Sequence, residues 1–388
     1  MGNAIEDILG RLRSDGDLAE IYATTDAWAR EGKTKDLVSL WTAIEGADAE
    51  GDAKRLRAQI ADHVEEALAL TPGDDRVDAL FELYARERTK SVVQPRTRDT
   101  RARALASRLG FGQTKAELLS AMRRHGPREE FHEILACWMH EVVLRGSSLD
   151  REPEVVHFRD HMTSHEHPLA SLALDLLEAE REATTYMPLY GTSAIEEAAL
   201  RLESGTTSTH TMPPGHDATS PRATRVDDAM FETRIVEAVM PWKERSKGKL
   251  EARVYTVAPA LEPQDLGKTL LRTLGLECLD GASGLRADRT RADAVWGALF
   301  AAAANGGAYS SGLGGAYGRR AAWNSLAALV GEPENAGVPA IAAKAERCAF
   351  LRFGAKGPWF YDIAWDIGAL VLRPDGESLA VVAATDTD

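Results

Sequence analysis

The chain has 388 residues, which is too long for one ordinary hydrophobic core and suits two domains of roughly 150 to 200 residues each. With 44% hydrophobic and 27% charged residues it has the composition of a soluble globular protein, and its net charge of −14 argues against a general binder of nucleic acid or anionic membranes. The three cysteines, Cys137, Cys278 and Cys348, form no CxxC pair, so the composition excludes a disulfide framework and a zinc knuckle.

The start of the chain, MGNAIEDILGRLRSD, lacks the apolar core of a signal peptide, and the longest apolar run, residues 295–304, is too short to span a bilayer. We therefore expect a cytoplasmic protein with no membrane-spanning segment. Arginine outnumbers lysine 35 to 11, a bias that is typical of GC-rich bacterial genomes and indicates source rather than function.

Residues 1–202 have a helical pattern almost throughout. Apolar side chains recur at steps of three and four, the spacing of amphipathic helices, and glycine-containing or proline-containing breaks separate helices of about 12 to 20 residues. Two such stripes consist of Ile5, Ile8, Leu9 and Leu12 and of Leu37, Leu40, Trp41 and Ile44. We predict an all-α domain here, built either as a degenerate array of antiparallel helix pairs or as an irregular bundle.

Residues 203–225 are rich in Ser, Thr, Pro and Gly and contain little that could enter a core, so we predict a flexible linker. The pattern changes after it. Residues 250–257 alternate as a strand, 263–274 and 291–304 read as helices, and a glycine-rich segment, a helix over 319–330 and a strand near 348–353 follow. We therefore predict a smaller α+β domain over residues 226–388, and a fold that is mostly α and α+β overall.

The last thirty residues predict an antiparallel β-hairpin around the turn Pro374-Asp375-Gly376, in which Gly supplies a left-handed residue. A three-residue loop would place Arg373 opposite Glu377 and fix the register of both strands. One face of this register is apolar. Its predicted members are Ile367, Ala369, Val371, Leu379, Val381 and Ala383, continued toward the core by Trp359, Tyr361, Ile363 and Trp365.

The opposite face of the predicted hairpin gathers four carboxylates, Asp362, Asp366, Asp386 and Asp388. Closely spaced aspartates raise one another's pKa or bind a hard cation, so Asp362, Asp366 and Asp386 are candidate ligands of Mg²⁺ or Ca²⁺, or an acid and base. The alternative is a structural role in which arginines such as Arg319, Arg320 or Arg352 pair with them. We favour the structural role and expect neither a metal nor a cofactor.

The segment NGGAYSSGLGGAYGRR, residues 305–320, precedes the helix expected from Arg319. Backbone N–H groups at a glycine-rich helix start can bind an anion, and two arginines would add donors. The candidate anion site consists of Gly314, Gly315, Gly318, Arg319 and Arg320. The spacing misses the dinucleotide fingerprint, and the alternative is a loop whose glycines allow tight packing under the hairpin, with Tyr309, Tyr317 and Trp323 filling apolar space.

Two further clusters have a functional and a structural interpretation. His157, His161 and His165 share one face of a predicted helix and suggest zinc, but three histidines in line on a straight helix cannot close a tetrahedral shell. A solvated face is expected. The stretch 86–108 carries eight basic residues and suggests an acidic partner or nucleic acid. Because no aromatic stacking residues are interleaved, we favour a loop plus a solvated helix face.

The closing pattern, GGAYxxGxGGAYGRRAAWNSLAAL followed by WFYDIAWDIGALVLRPDGESLAVVAATDTD, resembles the C-terminal signature of an uncharacterised family of high-GC bacterial proteins classed as a domain of unknown function. The resemblance covers about residues 290–388 and implies no activity, cofactor or catalytic residue. The N-terminal half resembles HEAT- or TPR-type arrays in its succession of short amphipathic helices, without their consensus positions. Such arrays bind proteins.

Two classes of function therefore remain open. The first is a cytoplasmic, non-catalytic interaction protein with a protein partner and no affinity for nucleic acid or membranes. The alternative is a metal-assisted hydrolase or phosphoryl-handling enzyme, with residues 312–320 as an anion cradle and Asp362, Asp366 and Asp386 as metal ligands. The alternative requires these two groups of residues to lie together.

Overall fold

The computed structural model describes residues 2–11, 18–46, 51–86, 97–181, 221–308, 312–361 and 365–387, and the chain divides into two compact units, residues 1–170 and 171–388. The helices of the first unit are α1 (Gly2–Arg11), α2 (Leu18–Arg30), α3 (Thr34–Gly46), α4 (Gly51–Leu70), α5 (Asp74–Ala85), α6 (Arg98–Gly112), α7 (Lys115–His125), α8 (His132–Leu144) and α9 (Pro153–Ser164). Its described part contains no strand, as the sequence predicted.

The helices of the first unit pack in two rows. Helices α2, α4, α6 and α8 form one row in which each contacts the next, and α1, α3, α5, α7 and α9 form the other in the same way. The predicted stripe of α3, which includes Leu40 and Trp41, is buried between the rows. Helix α8 lies deepest, since every residue from Ile134 to Leu144 is buried.

A buried ion pair joins α4 to α6. Arg101 donates to both carboxylate oxygens of Glu65, at 2.7 and 3.2 Å, and the indole Nε1 of Trp41 donates to the same carboxylate at 2.9 Å. Arg101 also donates to the carbonyl oxygens of Leu83 and Tyr84 at the end of α5. A residue that the sequence places in a solvated basic stretch is therefore a buried structural group.

The other described arginines of that stretch are also engaged. Arg103 approaches Glu133 of α8 at 3.9 Å, and Arg108 approaches Glu66 of α4 at 3.5 Å. The expected solvated face is thus largely a set of ion pairs between neighbouring helices of one row. Residues 87–96 of the stretch lie outside the described residues.

The second unit combines helices with one six-stranded antiparallel sheet of order β1-β2-β6-β5-β4-β3. Its strands are β1 (Arg222–Val226), β2 (Lys249–Ala258), β3 (Ser283–Thr290), β4 (Ala349–Lys356), β5 (Asp366–Leu372) and β6 (Ser378–Thr385). Its helices are α10 (Glu178–Arg181), α11 (Ala229–Ile235), α12 (Met240–Arg245), α13 (Lys268–Thr273), α14 (Ala292–Asn305), α15 (Gly314–Val330) and α16 (Val338–Ala345). The fold is mostly α and α+β overall, as predicted.

Helices cover both faces of the sheet. One face, which includes Leu370 and Val381, packs against α13 and its flanking loops in a continuous apolar cluster. On the other face, α15 contacts β5 and β6 while α14 contacts β4. Because both faces are covered, the central strands β5 and β6 are buried almost throughout.

The bounds of the second unit differ from the predicted domain limits. Residues 171–181 belong to it, although the sequence assigned them to a domain ending at 202. Residues 222–225 of the predicted linker form most of β1 and pair with β2, while its residues 203–220 lie outside the described residues. A short strand rich in Arg and Thr has no clear apolar alternation, which is why the sequence did not indicate it.

The terminal hairpin forms as predicted, but its predicted register is wrong by one residue. Leu372 lies opposite Leu379 and Ile367 opposite Ala384, and Arg373 pairs with Ser378 rather than with Glu377. The loop therefore has four residues, from Pro374 to Glu377. Gly376 has φ 70°, the left-handed conformation that the sequence predicted.

Asp375 selects the longer loop. Its Oδ1 accepts from the backbone N–H groups of Glu377 and Ser378, both at 2.9 Å, and its Oδ2 accepts from the Ser378 hydroxyl at 2.8 Å. A side chain that bonds the backbone two and three residues later closes the turn locally. The register of the whole hairpin follows from this contact.

The aromatic residues before β5 also depart from the prediction. Phe360 is fully buried, whereas Tyr361 is 44% exposed and Trp359 and Trp365 are half-buried. Ile363 lies outside the described residues. The strand begins only at Asp366, so its alternation does not extend back to residue 359, and a common core face for these aromatic side chains is wrong.

We expect Asp375→Ala to destabilise the protein by about 1 kcal/mol, because three hydrogen bonds at an exposed loop are lost. Partial burial raises the pKa of Asp375, but hydrogen bonds from Ser378 and Glu377 outweigh it and hold the pKa below 3.8. The contribution is therefore complete above pH 3.8 and disappears as the pH falls through the folded-state pKa. Urea unfolding of both proteins at neutral and strongly acidic pH measures the difference.

Glu377→Ala is the matched control for this prediction, because Glu377 contributes its backbone N–H to the turn and alanine retains that group. We expect its free energy of unfolding to equal that of the wild type. A loss as large as that of Asp375→Ala would show that the Asp375 contacts do not hold the loop.

Candidate functional site

The glycine-rich segment connects α14 to α15, and α15 begins at Gly314, five residues before the predicted start. The connection is tight: the N–H of Gly312 donates to the carbonyl of Asn305 at 3.1 Å. A Cβ on Gly318 would lie 2.8 Å from the Cα of Ala304, so glycine is required for the two helices to approach so closely. The described glycines thus serve close helix packing, the structural alternative named above.

Arg319 points from α15 into a fully buried cluster with Glu180 of α10. Its Nε and Nη2 donate to the two oxygens of Glu180 at 2.6 and 2.8 Å, and Trp323 Nε1 donates to Glu180 Oε1 at 2.6 Å. The remaining donors of the guanidinium reach the carbonyl oxygens of Ala173 at 2.8 Å and Asp175 at 3.1 Å. Glu180, Ala173 and Asp175 therefore engage four of the five guanidinium N–H groups.

Arg320, the second arginine of the candidate anion site, lies near Glu237 at 3.4 Å. Asn324 donates to both oxygens of the same carboxylate. Burial raises the pKa of Glu237, against the opposing effects of Asn324, Arg320 and Arg234. Because both arginines are engaged by carboxylates, the geometry does not support an anion site formed by Gly314, Gly315, Gly318, Arg319 and Arg320.

Within the described residues, Asp386 connects the predicted aspartate cluster with the glycine-rich segment. It is fully buried, and its Oδ2 accepts from the N–H of Ala308 at 2.7 Å. A Cβ on Gly307 would lie only 1.8 Å from that oxygen, so the glycine makes room for the carboxylate. A carboxylate of the chain itself therefore binds a backbone N–H of the glycine-rich segment, upstream of the predicted anion site that begins at Gly314.

Asp366 does not join Asp386. Asp366 lies opposite Thr385 and accepts from its hydroxyl at 2.6 Å, on the face of the sheet that carries Leu370. Asp386 follows Thr385 and points to the other face, toward α14. A register shift of one residue moves side chains to opposite faces of a sheet, and it separates this predicted pair.

Asp362 and Asp388 lie outside the described residues. In the part of the chain that the structure describes, no group of three or more His, Cys, Asp or Glu side chains is close enough to hold a metal ion. The predicted set Asp362, Asp366 and Asp386 is therefore not brought together as far as the structure describes it.

The histidine row is interrupted at the end of α9. His161 lies between His132 of α8 and His165, with ring centroids 4.8 and 4.1 Å apart, while His157 is exposed. His165 lies beyond the helix, and its Nδ1 is 2.8 Å from the carbonyl oxygen of His161. The helix end thus replaces the predicted line of three with a cluster in which the ring of His161 meets His132 edge-on, at 74°, and His165 at a tilt of 39°.

Desolvation is the largest cause that lowers the pKa of His161, and the neighbouring His165 and His132 lower it further against the opposing charge of Glu129. The cysteines are shifted in the direction that disfavours reactivity. Burial and Glu133 raise the pKa of Cys137, and burial raises the pKa of Cys348 to about 11. A thiol with a raised pKa is a poor nucleophile.

Sequence reasoning missed the partners of these groups. The burial of Glu180 was not predicted, because a single glutamate in a helical stretch does not indicate burial. It also missed that Lys249 contacts the exposed Tyr361: the Lys249 Nζ donates to the Pro358 carbonyl at 3.0 Å and to the Tyr361 hydroxyl at 3.2 Å. The available signal was the concentration of aromatic residues in the segment WFYDIAW.

The fold and these contacts define a mostly helical protein with a C-terminal antiparallel sheet unit. A family model described as "Family of unknown function (DUF6183)" matches residues 19–388, and the chain belongs to this family. The match extends the resemblance noted for residues 290–388 to nearly the whole chain. No curated protein and no solved structure matches it. Within the described ranges, no helix combines the length and apolar character needed to cross a membrane.

We expect Glu180→Met to destabilise the protein by about 3 to 5 kcal/mol, because it leaves the Arg319 guanidinium buried without its counter-charge. The double variant Glu180→Met, Arg319→Met should be more stable than the single variant, since no charge is then buried. Urea unfolding followed by tryptophan fluorescence measures both. Glu178→Met is the matched control, because the side chain of Glu178 is 84% exposed and its removal should change little.

We also expect the pKa of His161 to lie below 6.5. The folded state then favours neutral imidazole, so His161 contributes stability above the unfolded-state pKa that is lost as the pH falls through 6.5 toward the folded-state pKa. NMR titration of the imidazole signal that disappears in His161→Gln measures the shift. A pKa at or above 6.5 would contradict the combined effect of desolvation and the neighbouring imidazoles.

Proposed function

We propose that the protein is a non-catalytic protein-interaction module of the bacterial cytoplasm, in which the N-terminal helical unit presents the surface for a protein partner. The packing of α1 to α9 in two rows carries this proposal. Helical-repeat proteins stack helices in this way, each contacting its near neighbours, and use the resulting extended surface for binding. The high proportion of arginine supports the bacterial source.

Ion pairs between neighbouring helices support a fixed surface. Arg124 of α7 pairs with Asp74 and Asp78 of α5, at 3.1 and 2.9 Å. The next step along the same row is linked by Lys115 with Glu152 at 2.7 Å and by Arg123 with Glu154 at 2.8 Å. Each exposed pair adds little stability alone, but the series fixes the relative positions of α5, α7 and α9.

The chemistry of the polar groups supports a non-catalytic role. Arg319, Arg320 and Asp386 make internal contacts with Glu180, Glu237 and Ala308 respectively. The thiols of Cys137 and Cys348 are held in the protonated form by a raised pKa. The enzyme alternative needs Asp366 and Asp386 on one face, whereas the register places them on two.

Site-specific photo-crosslinking in native cell lysate tests this proposal. A photoreactive amino acid is placed at exposed positions of each row, at Arg55 and Asp99 for the row of α4 and α6, and at Ser39 and Ala116 for the row of α3 and α7. We expect one row to give a discrete crosslinked partner, identified by mass spectrometry, and the other row to give none, since a repeat array binds through one surface.

The control position is Arg151, whose side chain is 93% exposed in the connection between α8 and α9. A partner crosslinked equally from this position and from both rows would indicate non-specific capture. No discrete product from either row would contradict binding through the helical unit.

A further inference from the structure

We propose that the end of the sheet formed by Lys247, Lys249, Lys356, Pro358 and Tyr361 is a second docking site, which takes an acidic segment with apolar side chains from a partner protein. We call this set the lysine–tyrosine end. The inference rests on the proposed role in protein interaction and adds a partner chemistry. It follows from three observations: an exposed tyrosine held by Lys249, lysines that make no ion pair with a described residue, and their position at one end of the sheet.

The segment 357–361, which carries Tyr361, packs against the sheet and a neighbouring loop. Phe360 is fully buried in the apolar cluster of the sheet, and the N–H of Gly357 donates to the Phe360 carbonyl at 3.0 Å. A Cβ on Gly357 would lie 2.9 Å from the Cα of Ala282, so the turn is in close contact with the neighbouring loop. The chain is therefore closely packed at Gly357 and Phe360, although Pro358 and Tyr361 are exposed.

Lys249 orients Tyr361. Its ammonium bonds both the tyrosine hydroxyl and the Pro358 carbonyl, and it lies 5.1 Å from the centroid of the tyrosine ring. An exposed aromatic ring that is already held in place loses little conformational entropy when a partner binds, which is typical of interface hot spots. Tyr361 is thus preorganised for contact.

The lysines at this end are unusual in a chain of net charge −14. Most of the arginines described above pair with carboxylates, whereas Lys247, Lys249 and Lys356 make no ion pair with any described residue and all three are exposed. Lys247 lies two residues before Lys249, and Lys356 two residues before Pro358. Three lysines that pair with no described carboxylate, one of them in contact with the exposed Tyr361, favour a ligand that carries carboxylates and apolar groups.

An acidic peptide suits this end better than a nucleic acid does. The exposed carboxylates Glu244 and Asp280 lie on the adjoining segments and limit the positive area to a few residues. A short acidic segment can match three lysines, whereas a longer polyphosphate backbone would meet the surrounding negative charge. The test therefore includes a single-stranded oligonucleotide, so that binding of a nucleic acid is distinguished from binding of an acidic peptide.

Fluorescence anisotropy of the full chain tests the inference. The probes are a fluorescein-labelled glutamate-rich peptide that contains leucine, the same peptide with lysine in place of glutamate, and a labelled single-stranded oligonucleotide. We expect only the glutamate peptide to bind and its affinity to fall as salt is raised. Lys249→Glu should weaken binding about tenfold or more, and Tyr361→Ala should weaken it about fivefold or more.

Lys268→Glu is the matched control, because Lys268 is an exposed lysine of the same unit that lies away from this end. It should bind the peptide as the wild type does. Equal binding of both peptides, tighter binding of the oligonucleotide, no binding of the glutamate peptide, or an equal loss in Lys268→Glu would each overturn the inference. A crosslinked partner on the helical unit together with any of these results would leave the proposed function standing and remove only this site.

Discussion

In each half of this protein a buried glutamate accepts hydrogen bonds from an arginine guanidinium and a tryptophan indole, and this cluster joins the surrounding helices. In the first unit Arg101, Glu65 and Trp41 make this arrangement, and in the second unit Arg319, Glu180 and Trp323 repeat it. In both, the arginine also donates to backbone carbonyl groups of a nearby segment. Burying two charges is costly, and only a complete set of hydrogen bonds compensates for that cost.

The same arrangement decides what the neighbouring residues are able to do. Because Glu180 and two carbonyl groups engage Arg319, and Glu237 lies beside Arg320, both arginines of the glycine-rich segment are paired with carboxylates of the chain itself. The glycines of this segment instead allow α15 to approach α14 and allow Asp386 to reach the backbone of Ala308. A motif that suggests ligand chemistry therefore serves packing. The proposed lysine–tyrosine end lies elsewhere in the second unit, where Lys247, Lys249 and Lys356 make no ion pair with a described residue.

The hairpin shows how a small local contact controls distant chemistry. The turn composition and the left-handed Gly376 were readable from the residues, and both are correct. The loop length was not readable, because either loop accommodates Pro374, Asp375 and Gly376, and only the capture of two N–H groups by Asp375 selects four residues. That single added residue places Asp366 and Asp386 on opposite faces. The predicted carboxylate patch therefore depended on the length of the loop, which the residue types of the turn leave open.

The sequence by itself determined the helical character of the first half, the buried stripe on α3, the mixed character of the second half and the terminal hairpin, because apolar spacing and turn residues act over a few positions. The tertiary structure alone decided which arginines are buried, that residues near Glu180 belong to the second unit, and that Lys249 meets Tyr361. These contacts join residues tens to more than a hundred positions apart. Their partners are fixed by the packing of whole helices and strands, which no short-range pattern specifies.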